Sequence, residues 1–341
     1  MLDEAWDRVA TNPYPLWIED NLKSELRDLE RVEAGKTRVY YIADLVYLII
    51  CRRAFGEWVA ALESAPTRSA CIVGINMTST DAAGLTGRMK LNDPNYHHHT
   101  GDMERFDITI PITAHDGMAS EMNTRFHPKD HARNRNIIMC ASLQVHVANS
   151  VGTVLIGSNP SGIYMTSLIG TYAHTESVVS YCLAKGITDY NMAIYSDDGW
   201  YSFHEKYNFN RPELAKWFFD RYGFVWTAAD KGASSGRVKP SEVAILKRTF
   251  VVRNGIVHAP LPANVIRHIL QYTHVSEGPL ASEMIASRIS SALLESLQHG
   301  PEFYNDVLSF ARKLADHYHI NVPLQNYKAA YAALLKTHYS A

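Results

Sequence analysis

The feature that most constrains this chain is a short acidic segment, Tyr195-Ser196-Asp197-Asp198, set between two apolar runs. The residues before it, Met192-Ala193-Ile194, predict a β-strand, and the pair Asp198-Gly199 is typical of hairpin turns. By itself an Asp-Gly pair indicates only a turn. The segment therefore predicts a hairpin with two adjacent carboxylates at its tip, in either a structural or a metal-binding role.

A second acidic segment, from Gly101 to Asp107, lies upstream of this hairpin. Two acids five residues apart are common by chance, and alone they favour a structural role. Nucleotidyl transfer by two divalent ions needs carboxylates from separate strands, because the ions lie about 3.5–4 Å apart. Asp102, near the end of a predicted strand, can supply one ligand and Asp197 in the hairpin another. The two segments together favour two-metal chemistry.

Position 107 bears on the choice of sugar, because five residues beyond Asp102 the chain can reach the ribose of a bound nucleotide. An aromatic side chain there would clash with a 2′-OH, whereas the Asp107 carboxylate can accept a hydrogen bond from it. The residue therefore predicts NTP rather than dNTP as the substrate.

Composition places the chain among soluble globular proteins. Its 341 residues suggest two or three domains, with 46% hydrophobic and 20% charged residues. The acidic start predicts a chain that is not exported. The longest apolar stretch, Leu45 to Cys51, is far short of the roughly 20 residues that a membrane span needs. Four scattered cysteines without a Cys-x-x-Cys pair argue against a zinc knuckle or a disulfide framework.

A net charge of −2 counts against nucleic-acid binding, for which a basic balance is expected. The distribution of charge changes that interpretation. Cationic residues concentrate in one segment, namely Lys23, Arg27, Arg31, Lys36, Arg38, Arg52 and Arg53. A basic channel can therefore exist in a neutral protein.

Short strands and helices alternate irregularly along the chain, which predicts an α+β fold. Helices are expected over Ile110 to Asn123, over Tyr164 to Lys185 before Gly186, and over Asn210 to Tyr222 before Gly223. Ile245 to Phe250 predicts a strand whose two cations could grip phosphates. From about residue 256 the spacing of apolar residues predicts a helical subdomain.

Two further segments are ambiguous by themselves. The loop before Thr166, Asn159-Pro160-Ser161-Gly162, can be an ordinary turn or can hold a template and a nascent base pair. Lys231 in a polar loop is either solvated or placed to protonate departing pyrophosphate. The run His97-His98-His99 favours a structural role, because alternation along a strand sends His98 to the opposite face from its neighbours.

Taken in order, these segments carry a resemblance. It rests on Lys23 to Arg38, Asp102-x4-Asp107, Ser161-Gly162-x3-Thr166, Tyr195 to Asp198, Ala229-Asp230-Lys231 and Leu246-Lys247-Arg248. They resemble motifs F, A, B, C, D and E of picornavirus-like viral RNA-dependent RNA polymerases, the group that includes picorna-, dicistro- and iflavirus enzymes. Each motif is weak alone, but six in this order are specific. The resemblance covers roughly residues 15–255, and Pro301 to Asn305 resembles the family's thumb.

The resemblance implies a right-hand fold with fingers, palm and thumb. Its segments would be 1–55 (fingers with motif F), 56–139 (palm with motif A), 140–159 (a fingers insertion), 160–255 (palm with motifs B to E) and 256–341 (a helical thumb). It implies Asp102, Asp197 and Asp198 as ligands of two Mg²⁺ ions, which Mn²⁺ could replace, and Lys231 as the general acid. Template or triphosphate would contact Lys23, Arg31 and Arg38, and the ribose would contact Asp107, Ser161 and Thr166.

The same resemblance implies an RNA-directed RNA polymerase of a positive-strand RNA virus, cut from a polyprotein. Its expected partners are an RNA template and primer, NTPs, a protein primer and other viral replication proteins. The expected location is the host cell cytoplasm, at membrane-associated replication complexes.

The chain departs from the family pattern in two places. Gly170 stands where the family usually has an Asn that helps to read the 2′-OH, so Asn at position 170 is expected to sharpen sugar selection or leave it unchanged. Only about 20 residues precede Lys23, which predicts a fragment lacking the N-terminal part of the fingers.

Two alternatives remain open. A reverse transcriptase also uses a Tyr-x-Asp-Asp hairpin, although Asp107 and the motif F segment weigh against it. A replication protein that kept the fold but lost catalysis is the other, and the intact set of acids weighs against that.

Overall fold

The structure, a computed structural model, describes residues 2–24, 29–148, 151–228, 237–271 and 279–339. The helices are α1 Leu2–Thr11, α2 Leu29–Glu33, α3 Leu45–Glu63, α4 Asp81–Arg88, α5 Phe106–Thr109, α6 Ile112–Asn123, α7 His131–Ala141, α8 Thr166–Lys185, α9 Arg211–Tyr222, α10 Ala263–Gln271, α11 Pro279–Leu297, α12 Pro301–His317 and α13 Tyr327–His338. The strands are β1 Leu16–Leu22, β2 Val39–Ala43, β3 Tyr96–Glu104, β4 Leu143–Ala148, β5 Val151–Ile156, β6 Tyr190–Tyr195, β7 Asp198–His204, β8 Val225–Ala228, β9 Val251–Arg253 and β10 Ile256–His258. This mixture confirms the predicted α+β class.

The chain divides into two compact units. The first comprises Met1–Ile75 with Met89–Val238, and the second comprises Asn76–Arg88 with Lys239–Ala341. The domain boundaries expected from the resemblance stay a prediction.

An antiparallel sheet in the first unit, in the order β6-β7-β3-β8, carries both acidic segments. Five consecutive residues at the centre of β7 are buried, and helices α8 and α9 pack against the outer strands β6 and β8 of this sheet. Trp200, Tyr201 and Phe203 are fully buried there. Burying aromatic side chains of this size strongly stabilises the sheet that carries the two acidic segments.

The strand expected before Tyr195 is confirmed as β6, but the turn lies elsewhere than the Asp-Gly pair suggests. Tyr195 pairs with Asp198, so the two connecting residues are Ser196 and Asp197. Ser196 has φ 55°, as the first central residue of such a tight hairpin requires. Asp198 and Gly199 begin β7 instead. Gly199 is needed because a Cβ there would lie 2.7 Å from the Tyr201 hydroxyl.

A second sheet in the same unit has the order β2-β1-β4-β5, with β1 parallel to β4 and the other pairs antiparallel. Leu16 and Ile18 of β1 alternate with exposed residues and point into the core. The β1–β2 pair brings two residues of the basic segment together, since the Lys23 N–H donates to the Arg38 carbonyl (2.8 Å). This pair positions Tyr41 and the exposed cations Lys23, Arg31 and Arg38, which we call the cationic arm.

The expected helices are confirmed with small changes in their bounds. Helix α8 ends at Gly186 and α9 ends at Gly223, and both glycines have positive φ (65° and 73°). Asn210 occupies the N-cap position of α9, but its side chain makes no capping hydrogen bond. In the segment from Ile110 to Asn123, helix α6 begins at Ile112 after the N-cap Pro111, and Ile110 caps the end of α5. In the second unit, α10 to α13 confirm the helical tail.

The strand expected over Ile245 to Phe250 is wrong. Leu246 and Lys247 have φ of 51° and 62°, and Ile245 and Arg248 exchange backbone hydrogen bonds across them (3.0 and 2.9 Å), so this segment is a tight turn. The strands are β9 and β10, which follow it. Arg248 makes a bidentate ion pair with Glu295 (2.8 and 2.6 Å), which holds the turn against α11.

The three consecutive histidines lie on β3, where His98 has structural partners. The Trp200 indole N–H donates to His98 Nδ1 (3.2 Å), and His98 Nε2 therefore carries a hydrogen and donates to the Leu91 carbonyl (3.2 Å). The His98 side chain points into the core, in agreement with the expected alternation.

We expect Gly101→Ala to lower the free energy of unfolding by about 1–3 kcal/mol, because inserting a methyl group into a packed core forces neighbours to move. A Cβ at Gly101 would lie 2.2 Å from the Trp226 Nε1 and 2.6 Å from the Thr227 carbonyl oxygen. The matched control is Gly152→Ala on β5, where no atom lies within 4 Å. Urea unfolding of both variants and the parent measures the effect. Equal midpoints for the two variants would contradict this packing argument.

Candidate active site

The acidic edge of the β6-β7-β3-β8 sheet is built by strand register. Asp102 of β3 lies directly opposite Asp198 of β7. The Met103 N–H donates to the Asp197 carbonyl (3.1 Å), so Met103 and Asp197 form a hydrogen-bonded pair. Because the two kinds of pair alternate along antiparallel strands, Asp102 and Asp198 form a non-hydrogen-bonded pair. In such pairs the Cα atoms lie only about 4.5 Å apart and the side chains share one face. The two carboxylates are therefore held near each other by the backbone.

Asp197 lies beside this pair in the turn and is exposed. Like charges directly across a sheet repel one another, and a bound cation would relieve this repulsion. Within the described ranges, no three His, Cys, Asp or Glu side chains already converge to hold an ion. Mg²⁺ characteristically takes one or two carboxylates together with substrate phosphates, and oxygen donors of this kind suit it. These carboxylates are therefore suitable ligands for a divalent cation whose remaining ligands come from the substrate.

Asp107 adjoins the acidic edge just beyond β3. Neighbouring protein removes water from the Asp107 carboxylate and raises its pKa; the nearby Asp197 carboxylate raises it further, while the Arg38 guanidinium lowers it. Asp107 Oδ1 accepts the Ile108 N–H (3.0 Å), and its carbonyl accepts the Asn159 N–H (2.5 Å). The structure thus brings Asp107 into electrostatic range of Asp197 and Arg38.

The loop before α8 is bound to β2. The Tyr41 N–H donates to Ser161 Oγ (3.2 Å), which leaves the Ser161 hydroxyl able to donate its own hydrogen. A Cβ at Gly162 would lie 1.8 Å from the Tyr41 carbonyl oxygen, so only glycine permits this approach. The Asp107 carboxylate raises the pKa of Tyr41, after the larger effect of burial. Tyr41 is therefore a site residue that its sequence context did not indicate.

Thr166 has a local role at the start of α8. Its hydroxyl lies 2.7 Å from the Pro160 carbonyl and 2.9 Å from the Ile163 carbonyl, and it donates its one hydrogen to these. The Asn159 side-chain amide donates to the Thr166 carbonyl (2.8 Å). The Thr166 hydroxyl therefore keeps only its acceptor capacity for a ribose.

The basic candidates lie on the β1–β2 arm. Lys23, Arg31 and Arg38 are all exposed, with Arg31 on the short helix α2. The Lys36 N–H donates to the Arg31 carbonyl (2.9 Å), which connects helix α2 to the segment before β2. Lys231, expected as the general acid, lies outside the described residues.

Helix α8 anchors the acidic turn through residues that the motif spacing did not single out for this role. The Ser196 N–H donates to Thr171 Oγ1 (2.9 Å), and His174 Nδ1 donates to the Ser196 carbonyl (2.8 Å). His174 is fully buried, and burial lowers its pKa to about 4. The only sequence signal for this contact is the i, i+3 spacing of Thr171 and His174 on one helix face.

Gly170, where Asn is expected to sharpen sugar selection or leave it unchanged, lies in close contact with the acidic turn. A Cβ at Gly170 would lie 2.4 Å from Ser196 Oγ and 3.3 Å from Ser196 Cα. Ser196 therefore occupies the space that a larger residue at 170 would need. Asn there would require Ser196 Oγ and the atoms next to it to shift.

Comparison with known proteins gives the family of this chain. The sequence profile described as "Viral RNA-dependent RNA polymerase" matches residues 2–315. The chain belongs to the viral RNA-dependent RNA polymerase family. Members of this family use divalent metal ions, in agreement with the oxygen donors at the acidic edge.

Relatives and a solved structure agree with this membership. The genome polyprotein of canine calicivirus is 25% identical over 342 residues, covering 94% of this chain and 18% of the polyprotein. The replicase polyprotein of cricket paralysis virus is 25% identical over 330 residues, covering 87% of this chain and 18% of that polyprotein. The sicinivirus 3Dpol RNA-dependent RNA polymerase matches with a TM-score of 0.83 and 20% identity over 99% of this chain and 71% of that one.

These comparisons show the right-hand polymerase fold, and they show that the chain spans about a fifth of the polyproteins it matches. Among helices in the described parts of the chain, none is both long and apolar enough to span a membrane.

We expect the buried neutral His174 to make stability depend on pH. The folded protein holds its pKa at about 4, below the value of about 6.5 for an exposed histidine, so the unfolded chain binds more protons between these values. Stability contributed by His174 is therefore present above pH 6.5 and is lost as pH falls toward 4. Between pH 7 and pH 5 the parent should lose about 2 kcal/mol more than His174→Asn, which cannot titrate.

Urea unfolding at the two pH values, with both proteins in the same buffers, measures this difference. The same pH dependence in the parent and in His174→Asn would show that His174 is not held neutral.

Proposed function

We propose that this chain catalyses template-directed RNA synthesis, in which the primer 3′-OH attacks the α-phosphate of an NTP in line and pyrophosphate leaves. The observation that supports this most is the cross-strand placement of Asp102 opposite Asp198, with Asp197 in the adjoining turn. Family membership supports the same reaction. The function of the whole parent polyprotein extends beyond this proposal.

Asp102, Asp197 and Asp198 would hold two Mg²⁺ ions, or Mn²⁺ in their place. When bound, such ions supply charge stabilisation at the attacking and leaving oxygens of an in-line displacement. The carboxylates come from three backbone positions that strand pairing and a two-residue turn fix relative to one another. Their task is to orient the reacting groups, which is the main protein contribution to phosphoryl-type transfer.

The cationic arm would bind the substrate phosphates. Lys23, Arg31 and Arg38 are exposed on the β1–β2 arm, and Arg38 acts electrostatically on Asp107. Cations at such positions bind phosphate through charge-assisted hydrogen bonds without reading base sequence. Lys231 would protonate the departing pyrophosphate.

Asp107 and Ser161 would read the ribose, with Thr166 as a further acceptor. The Asn159 N–H donates to the Asp107 carbonyl and the Tyr41 N–H donates to Ser161 Oγ, so hydrogen bonds tie both residues to neighbouring segments of the site. The Asp107 carboxylate accepts a hydrogen bond from a 2′-OH, and the Ser161 hydroxyl can donate one. A deoxynucleotide would leave these groups unpaired.

The proposed partners are an RNA template and primer, NTPs, a protein primer and other viral replication proteins. Replication within a host cell follows from the viral relatives. We place the protein in the host cytoplasm at membrane-associated replication complexes. The proposed subdomains are fingers (1–55 and 140–159), palm (56–139 and 160–255) and thumb (256–341).

We expect Asp197→Asn to lower nucleotide incorporation on the order of a thousandfold, because losing several kcal/mol of charge stabilisation slows the reaction by that factor. RNA affinity, measured by fluorescence anisotropy, should change little, since Asp197 contacts no phosphate directly. The matched control is Asp220→Asn, which removes an exposed carboxylate paired with Lys216 on α9 and should retain incorporation.

Primer extension on a homopolymeric RNA template measures incorporation in both variants. Activity of the Asp197 variant within about threefold of the parent would exclude a metal-binding role for this residue.

We expect Asp107→Ala to lower the preference for NTP over dNTP by about tenfold to a hundredfold, chiefly through poorer use of NTP. The lost hydrogen bond between the 2′-OH and the carboxylate is worth on the order of 1–3 kcal/mol. Asp107→Asn keeps an acceptor oxygen for the 2′-OH and for the Ile108 N–H, and it should retain most of the preference. The measurement is kcat/KM for matched ribo- and deoxynucleotides. An unchanged ratio in the alanine variant would mean that another residue reads the sugar, and would reopen the reverse transcriptase alternative.

A further inference from the structure

One residue of the acidic turn, Ser196, is held at both of its backbone polar groups by a single helix. Its N–H donates to Thr171 Oγ1 (2.9 Å), and its carbonyl accepts from His174 Nδ1 (2.8 Å). Thr171 and His174 lie three residues apart on α8 and therefore share one helix face. Neither contact involves the serine side chain, so both act on the path of the backbone.

The conformation of Ser196 needs this support. Its φ of 55° is a left-handed value that side chains other than glycine, asparagine and aspartate adopt at a cost. Such a residue persists where surrounding contacts over-determine it. Asp197 follows directly, and Asp198 is the next residue, paired with Tyr195. The direction of both carboxylates therefore depends on the conformation held at Ser196.

His174 is itself fixed from the opposite side. A carbonyl can only accept, so His174 carries its hydrogen on Nδ1, and its Nε2 accepts from the Tyr201 hydroxyl. Burial raises the pKa of Tyr201 well above its usual value, which keeps the phenol a donor. The Phe106 ring packs edge-on against the imidazole (5.8 Å between centroids). The chain of contacts runs from β7 through His174 to the turn.

Two glycines allow the helix and the hairpin to approach this closely. A Cβ at Gly170 would lie 2.4 Å from Ser196 Oγ, and a Cβ at Gly199 would lie 2.8 Å from His174 Cε1. Because both positions lack a side chain, neither obstructs the hydrogen bonds at Ser196. The two glycines therefore allow α8 and the hairpin to lie close enough for Thr171 and His174 to contact Ser196.

We propose that Thr171 and His174 are positioning residues for nucleotidyl transfer, which hold Ser196 in its turn and thereby aim Asp197 and Asp198 at the reacting phosphates. This inference rests on the function proposed above. Residues that orient metal ligands from behind commonly change metal affinity or activity by 10–100-fold when altered. Neither residue touches substrate in this role.

Thr171 and His174 would make the same contacts if they only stabilised the fold. Matched variants are therefore needed to distinguish a positioning role from a purely structural one. Thr171→Val keeps the volume and removes the acceptor of the Ser196 N–H, whereas Thr171→Ser restores that acceptor. His174→Asn places an amide donor near the position of Nδ1, whereas His174→Gln places its amide nearer Nε2. Only Thr171→Ser and His174→Asn can keep a hydrogen bond to Ser196.

Three measurements on the full chain are needed: thermal unfolding, Mn²⁺ binding followed by the electron paramagnetic resonance signal of free Mn²⁺, and kcat and KM for NTP. We expect Thr171→Val and His174→Gln to bind Mn²⁺ about 10–100-fold more weakly and to lose kcat by a similar factor. KM for NTP should change by less than about threefold, since the cationic arm is intact. Thr171→Ser and His174→Asn should recover most of both losses.

The control is His115→Asn, at another fully buried histidine on α6 whose Nδ1 contacts the Pro111 carbonyl (3.3 Å). It should lower the unfolding temperature as much as the α8 variants and leave Mn²⁺ binding and kcat within about threefold. If the folded Thr171→Val and His174→Gln proteins bind Mn²⁺ and turn over like the parent while Asp197→Asn is inactive, the positioning role is wrong and the proposed function stands. If the parent protein itself incorporates no NTP, the proposed function fails.

Discussion

The register between β3 and β7 is the constraint on which the rest of the site depends. It sets Asp102 opposite Asp198 and, one residue earlier on β3, Gly101 opposite Gly199. A slip of one residue would turn each carboxylate to the other face of the sheet. The glycines lie where Trp226 on one side and Tyr201 with His174 on the other approach too closely for any Cβ. The aromatic core is therefore shaped to accept only this register.

The negative charges at the acidic edge lower the stability of the folded protein. Opposed carboxylates repel one another, and the raised pKa of Asp107 shows that the folded protein disfavours its charged form. The sheet beneath offsets this, since Trp200, Tyr201 and Phe203 are completely buried. Sites that bind cations and anionic substrates commonly carry such unfavourable charge.

Backbone contacts between distant segments make the site one connected body. The Asp107 carbonyl accepts from Asn159, Ser161 accepts from Tyr41, and Thr171 accepts from Ser196. Each hydrogen bond joins two of the segments that motif spacing had marked separately. Residues expected to hold metal, to read the ribose and to bind phosphate are therefore coupled through hydrogen bonds in which a main-chain N–H is the donor each time.

Local sequence determined the features that depend on local physics. Apolar spacing and terminal glycines marked α8 and α9, and the order of acidic segments marked the family and the carboxylates of the site. Tertiary structure alone decided the turn at Ser196-Asp197, the tight turn at Leu246-Lys247 and the close approach of Ser196 to Gly170. An Asp-Gly pair and a run of β-formers satisfy several local conformations about equally well. Packing against residues far along the chain, such as His174 beneath the hairpin, selects one of them, and no local pattern records that contact.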